Sequence, residues 1–265
     1  MRLTDEQIAE FRSEGYLVIP RAIPEIMIDE ALRVINHSLG EEGMNKEDLP
    51  TLRAQTYCPE CREHPAITDL ANRSPLPALV ESLIGEGNLQ PQTRGQIALR
   101  FPRALGEVAS PPSGHLDGIG SGTNGSAVGS YRRIFTGLAV ILLHDLPRPF
   151  MGNFTVWPKS HQFFEAYFRD KGHEVLADGQ PQVDLPEEAH QITGKAGDLV
   201  ITHHQILHTA APNVSPHIRY AAIFRWRHKD VEEVDKDALT DIWREWPGVR
   251  AVHSRVHSAA AADQA

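Results

Sequence analysis

Apolar residues in the first part of the chain recur at helical spacing, and from about residue 96 they alternate or run together as strands do. Thr4 and Gln7 form a capping-box pair, Leu3 is placed to staple onto Ile8, and Gly15 stops the helix after Phe11. Tyr16-Leu17-Val18-Ile19 then reads as a strand ended by Pro20. Pro24 opens a second helix with Ile28, Ala31, Leu32, Ile35 and Leu39 on one stripe, closed by Gly40. Residues 41–65, polar and broken by Gly43, Pro50, Pro59 and Pro65, read mostly as loop. Ser74-Pro75 starts a third helix that ends at Gly85.

The strand-like half follows. Gln96 to Phe101 alternates, with Ile97, Leu99 and Phe101 on one face and Gln96, Ala98 and Arg100 on the other. Residues 110–130, rich in Gly and Ser, predict a long loop. Ile134 to Leu143 is nearly all apolar and fits a buried central strand, at whose end His144 stands; Asn153 to Trp157 is another strand. Lys159 to Lys171 reads as a short helix with a packed aromatic face. Leu199 to Ile201 and residues 218–227 are strands, Asp237 to Trp246 a closing helix, and the Ala-rich tail after 258 frayed. Helices first and short strands afterwards predict a mainly β fold, a double-sheet barrel with flanking helices. We expect one domain over 1–265: helical support to 95, barrel core over 96–228, then a C-terminal helix and tail.

Composition narrows the function. Across 265 residues, 26 Lys and Arg stand against 35 Asp and Glu, a net charge of −9 that disfavours nucleic-acid and anionic-membrane partners. No apolar run reaches membrane-spanning length, and the N-terminus lacks the apolar stretch of a signal peptide. The two cysteines, Cys58 and Cys61, lack a second pair with which to complete a zinc site, so a turn with reduced thiols and a cytoplasmic address are expected.

The candidate chemistry lies in Pro111-Pro112-Ser113-Gly114-His115-Leu116-Asp117-Gly118. On an extended segment His115 and Asp117 point to one side, giving two of the three protein ligands of a facial iron site. A distal histidine must supply the third, and His161, His203, His204 and His208 all follow strand-like stretches. His208 stands in His-Thr-Ala-Ala-Pro-Asn, and Arg219 follows eleven residues later with a guanidinium suited to a carboxylate. Arg225 and Arg227 share its strand parity but are less well placed. His203, His204 and His161 read as supporting or packing groups.

Residues 115–117, Gly152 to His161, Gly197 to Arg219 and the Glu14-Gly15-Tyr16-Leu17-Val18 transition resemble the phytanoyl-CoA dioxygenase family. The resemblance implies a double-stranded β-helix (jelly-roll, cupin-like) that uses iron(II), 2-oxoglutarate and dioxygen. It places metal ligands at His115, Asp117 and His208, the cosubstrate-anchoring arginine at Arg219, and a polar amide near the cosubstrate at Gln96. It implies oxidation of a small-molecule C–H bond with release of succinate and CO2. Leu116, Lys159 and Ala210 depart from residues common in the family, which are a glutamine, a glycine and a serine. A carboxylate at Asp117, which related halogenases replace with a small residue, favours hydroxylation or a related oxidation. Trp157, Arg100, Tyr131 and Arg133 are candidate pocket residues, and residues 103–130 a candidate lid. A cupin-type metalloenzyme without a keto acid and a non-catalytic jelly-roll binder are the alternatives.

Overall fold

The computed structural model describes residues 1–44, 47, 57–120, 127–133, 135–232 and 236–262. Among them eight strands form two antiparallel sheets. The larger has the order β1 (Tyr16–Ile19), β6 (Leu199–His203), β3 (Gly137–Leu142), β8 (Arg219–Trp226), β2 (Gln96–Arg100). The smaller is β5 (His190–Gln191), β4 (Phe154–Val156), β7 (His208–Ala210), and an isolated bridge from His115 to His208 lies beyond β7. This is the expected mainly β architecture with flanking helices.

Period-two alternation decides which face each residue serves. Ala98, Leu138, Val140, Val200 and Ala221 point inward, where they meet Phe154, Val156, Ile192 and Ile206 between the sheets. Their sequence neighbours Ile97, Ala139, Ile141, Ile201, Ala222 and Phe224 point outward beneath a helical layer. β3 is apolar at every position because both its faces are covered. The inward row of β8 begins with Arg219 and runs through Ala221 and Ile223 to Arg225, so the barrel interior has a cation at each end and apolar side chains between.

The helical layer comprises α1 (Asp5–Glu14), α2 (Glu25–Glu41), α3 (Pro65–Asn72), α4 (Leu76–Ile84) and α6 (Pro247–Ala262), while α5 (Ser160–Lys171) follows β4. The α1 capping box is present in full, and Leu3 and Ile8 are both buried. None of the described helices is long and apolar enough to cross a membrane. Cys58 and Cys61 are free, buried thiols around the 3-10 turn Pro59–Cys61.

Two sequence expectations need correction. Helix α3 was not anticipated: Pro65 reads as loop punctuation but occupies the first helical turn, and the His64 side chain caps it by accepting from the Ala66 amide at 3.1 Å. The closing helix does not lie over 237–246. That stretch holds a 3-10 turn at Lys236–Leu239 and further turns, and the helix starts at Pro247 and runs through Ala262. Pro247 opens this helix, and the Ala-rich segment expected to fray continues it. Ile134, and residues 121–126 of the expected loop, lie outside the described residues.

Close approach of strands also sets single positions. A methyl group on Gly137 would overlap the Thr202 carbonyl and the Trp226 indole. Gly137→Ala is expected to cost about 1–3 kcal/mol, read as a lower urea midpoint at unchanged slope. A wild-type midpoint would contradict this packing.

Candidate metal centre

His115 and His208 are held opposite one another by reciprocal backbone hydrogen bonds, His115 N–H to the His208 carbonyl at 2.9 Å and His208 N–H to the His115 carbonyl at 3.1 Å. Directly opposed residues of an antiparallel pair project to one side, so the two imidazoles meet with ring centroids 4.6 Å apart. Asp117, two residues on, joins them. Its Oδ1 lies 3.3 Å from His115 Nε2 and its Oδ2 3.9 Å from His208 Nε2. One ligand-type atom from each of the three falls within 4.8 Å of the others, and among the described residues no other such cluster of three occurs.

The local sequence serves this geometry. A side chain at Gly114 would collide with Trp157 and Leu207, so only glycine lets the ligand segment lie against them. The Gln180 amide brackets His115, accepting from the Leu116 N–H at 2.6 Å and donating to the Gly114 carbonyl at 3.3 Å. Sequence reading missed Gln180, and a glutamine 64 residues from its partner leaves no local signal.

The protonation states suit a cation. His208 Nδ1 donates to the Ile206 carbonyl at 3.0 Å, leaving Nε2 with its lone pair toward Asp117. Burial, reinforced by His115, lowers the His208 pKa to about 4. Burial opposes ionisation of Asp117, but the Arg225 guanidinium and the two histidines outweigh it and hold the carboxyl well below its usual range. Two imidazoles and a carboxylate on one side fit iron(II), with further coordination positions left open. Arg225 donates to Asp117 Oδ2 from Nε and Nη2 at 3.1 and 2.9 Å, and from Nη1 to Gln96 Oε1 at 2.6 Å. The sequence ranked Arg225 behind Arg219, yet it is Arg225 that reaches the carboxylate and Gln96.

Arg219 lies further along the same inward row of β8. It is 4% exposed, its Nη1 donates to the Ala98 carbonyl at 3.0 Å, and its Nε has no hydrogen-bond partner. Burial and the nearby Arg100 pull its pKa down to about 10 against the opposing Tyr57 phenol, and among the described residues no carboxylate acts on it. Arg100 pairs with Arg219 across β2 and β8, and both stems press on Gly152, where a methyl would come within 3.0 Å of each. Arg100 Nη2 also approaches the carbonyl of Ala210, two residues after His208, at 3.4 Å.

The model of the phytanoyl-CoA dioxygenase family matches residues 11–221. The chain belongs to that family. Membership, with the His-Asp-His cluster, bears out the expected class, a 2-oxoglutarate-dependent non-haem iron dioxygenase, and its iron, 2-oxoglutarate and dioxygen cofactors. No curated protein matches the chain. Among solved structures, it is similar to SnoK, a non-heme alpha ketoglutarate dependent carbocyclase from nogalamycin biosynthesis, at TM-score 0.56 and 19% identity over 83% of this chain and 82% of that one. It is similar to HygX from Streptomyces hygroscopicus, with nickel and 2-oxoglutarate bound, at TM-score 0.56 and 17% identity over 88% and 90%. AviO1 from Streptomyces viridochromogenes Tue57 follows at 0.53 and 16% over 87% and 97%. These likenesses establish a shared fold.

Departures from the family pattern have local consequences. Lys159 has φ +61°, a conformation natural to the glycine many family members carry there, at a cost of about 1–2 kcal/mol. Leu116 is buried in an apolar cluster with Ile119, Tyr131, Phe164, Phe168 and Leu207. Of the other candidate pocket residues, Trp157 lies against Gly114, Tyr131 bridges Ile119, and Arg133 forms a buried ion pair with Glu245, Nη1 to Oε1 at 2.9 Å.

His161, His203 and His204 pack away from this cluster, as expected. His203 stacks on Trp246 at 5.0 Å, and His161 meets Trp243 edge-on at 5.5 Å. Burial lowers the His161 pKa to about 4 and holds His203 and His204 well below the usual value. The unfolded chain takes up these protons near pH 6.5, the folded protein only at much lower pH. Their contribution to stability is therefore complete above about pH 6.5 and is lost as the pH falls toward 4. The expected slope is about 1.4 kcal/mol per pH unit for each such histidine. Urea midpoints measured from pH 8 to pH 5 should fall below 6.5, less steeply in His161→Gln; a flat profile would contradict the assignment.

Proposed function

We propose that this chain uses iron(II) and 2-oxoglutarate to hydroxylate, or otherwise oxidise, a C–H bond of a small-molecule metabolite. The observation that carries the reading is Arg219, a cation buried in the barrel on which, among the described residues, no carboxylate acts. A buried unpaired charge costs several kcal/mol, and a dicarboxylate entering this space would supply the missing counter-charge. Arg100 opposite Arg219 strengthens the attraction where the family's serine position holds Ala210.

His115, Asp117 and His208 would hold the metal on one side, and Arg219 would take the distal carboxylate through its planar fork. Bound together, iron and 2-oxoglutarate supply oxidative decarboxylation: one oxygen atom of O2 enters succinate, CO2 leaves, and the other atom is available to the substrate. The chain's own residues supply position and dryness. His208 offers Nε2 because Nδ1 is tied to Ile206. Gln180 and Gly114 fix the ligand segment against Trp157 and Leu207. His115 is 53% exposed at its side chain while His208 is 6%, so substrate would approach from the His115 side, beside Trp157 and Tyr131. Residues 103–120 and 127–130, with Leu105, Val108 and Val128 exposed, are the described parts of the candidate lid. SnoK is described as a carbocyclase, so one fold serves more than one oxidative outcome; the carboxylate at Asp117 supports hydroxylation or a related oxidation in this chain.

Succinate formation that requires both iron(II) and 2-oxoglutarate is the expected activity. Arg219→Leu should raise the 2-oxoglutarate KM by about ten- to a hundredfold, the value of charged hydrogen bonds at 1.5–3 kcal/mol, and His208→Ala should abolish turnover. Succinate release unaffected by omitting iron, or a wild-type KM in Arg219→Leu, would defeat the reading.

A further inference from the structure

Arg225 separates the two oxygens of Asp117. Both of its contacts to that carboxylate fall on Oδ2, and its third nitrogen is tied to Gln96 Oε1. Oδ1 carries neither of these bonds and faces His115 Nε2 at 3.3 Å, while Oδ2 also stands 3.9 Å from His208 Nε2. The guanidinium is fixed from other directions too: it lies over the Phe135 ring with its carbon 5.7 Å from the centroid, and its stem sits on the inward row of β8, paired with Leu138 of β3. All three guanidinium nitrogens are engaged, and a lysine in its place has one nitrogen and no fork.

We propose that Arg225 and Gln96 form a positioning pair for the metal ligand Asp117. Arg225 occupies Oδ2 so that the carboxylate presents one oxygen, Oδ1, toward the space shared with His115 and His208, and Gln96 holds the guanidinium in register. The inference rests on the reading that these three residues bind the metal. It gives Gln96 a role that acts through Arg225 and Asp117. Hydrogen-bond partners of metal ligands orient them, and losing one typically weakens metal binding about ten- to a hundredfold. A cation this close to a metal also repels it, and the proposal holds that orientation outweighs repulsion.

The test is Co(II) binding to the full-length, metal-free protein without 2-oxoglutarate, followed by the visible absorption of the bound ion. Arg225→Gln and Arg225→Lys should each weaken binding about ten- to a hundredfold and change the spectrum, since a freed carboxylate can offer both oxygens. Gln96→Leu should do so more mildly, and the double variant Arg225→Gln/Gln96→Leu should be no worse than Arg225→Gln alone. Circular-dichroism melts check folding; Arg225→Lys keeps a cation near Phe135 and carries the test if Arg225→Gln does not fold. Wild-type affinity and spectrum in Arg225→Gln, tighter binding in it, full rescue by lysine, or additive effects in the double variant would each overturn the proposal. His208→Ala separates the two readings. If wild-type protein takes up no Co(II), or His208→Ala binds it as well as wild type, the metal assignment falls with the proposal; if only the Arg225 variants behave as wild type, the proposal falls alone.

Discussion

Two backbone hydrogen bonds between His115 and His208 bring the candidate chemistry together. They pin a glycine-rich loop segment to the edge of β7 and set two imidazoles side by side, and the extended backbone then delivers Asp117 to the same space. Because the pairing is antiparallel, a slip of one residue would turn His115 to the opposite side and scatter the cluster. The surrounding devices guard against that slip. Gly114 admits the segment beneath Trp157 and Leu207, and Gln180 holds its peptide groups from the far side.

The barrel interior places charge along one row. Arg219 and Arg225 project inward from the same strand with Ala221 and Ile223 between them, and their surroundings separate their roles. Arg225 meets Asp117 and Gln96 and is balanced. Arg219 is buried beside another arginine, with no carboxylate acting on it among the described residues, an arrangement that a dicarboxylate would complete. Apolar packing that would favour a purely hydrophobic filling is thus given up at both ends of the row and kept in the middle.

The helices form the support. They cover the outer face of the larger sheet, and the aromatic and histidine cluster of Phe11, His161, His203, Trp243 and Trp246 joins α1, α5, β6 and the segment leading to α6. Those imidazoles are neutral because they are buried, which makes the same packing sensitive to acid. A strained Lys159 at the start of α5 and a crowded Gly137 in β3 show the same priority, with close contact retained at local cost.

Features written in neighbouring residues were legible in the sequence: the α1 capping box, the alternation of β2, the apolar run of β3 and the His-x-Asp pair. Their signals are caps and periodicities that act over a few residues, and motif order then pointed to His208 and Arg219. Proline misled at Pro65, because one residue type both interrupts helices and opens them, and only its surroundings distinguish the two. Tertiary structure alone decided that Arg225 meets Asp117 and Gln96, that Gln180 brackets His115, and that Arg133 pairs with Glu245. Those partners stand 64 to 129 residues apart, and no periodicity links them. Strand parity puts Arg219 and Arg225 on one face, but which of them reaches the carboxylate depends on where the loop bearing Asp117 closes over the barrel.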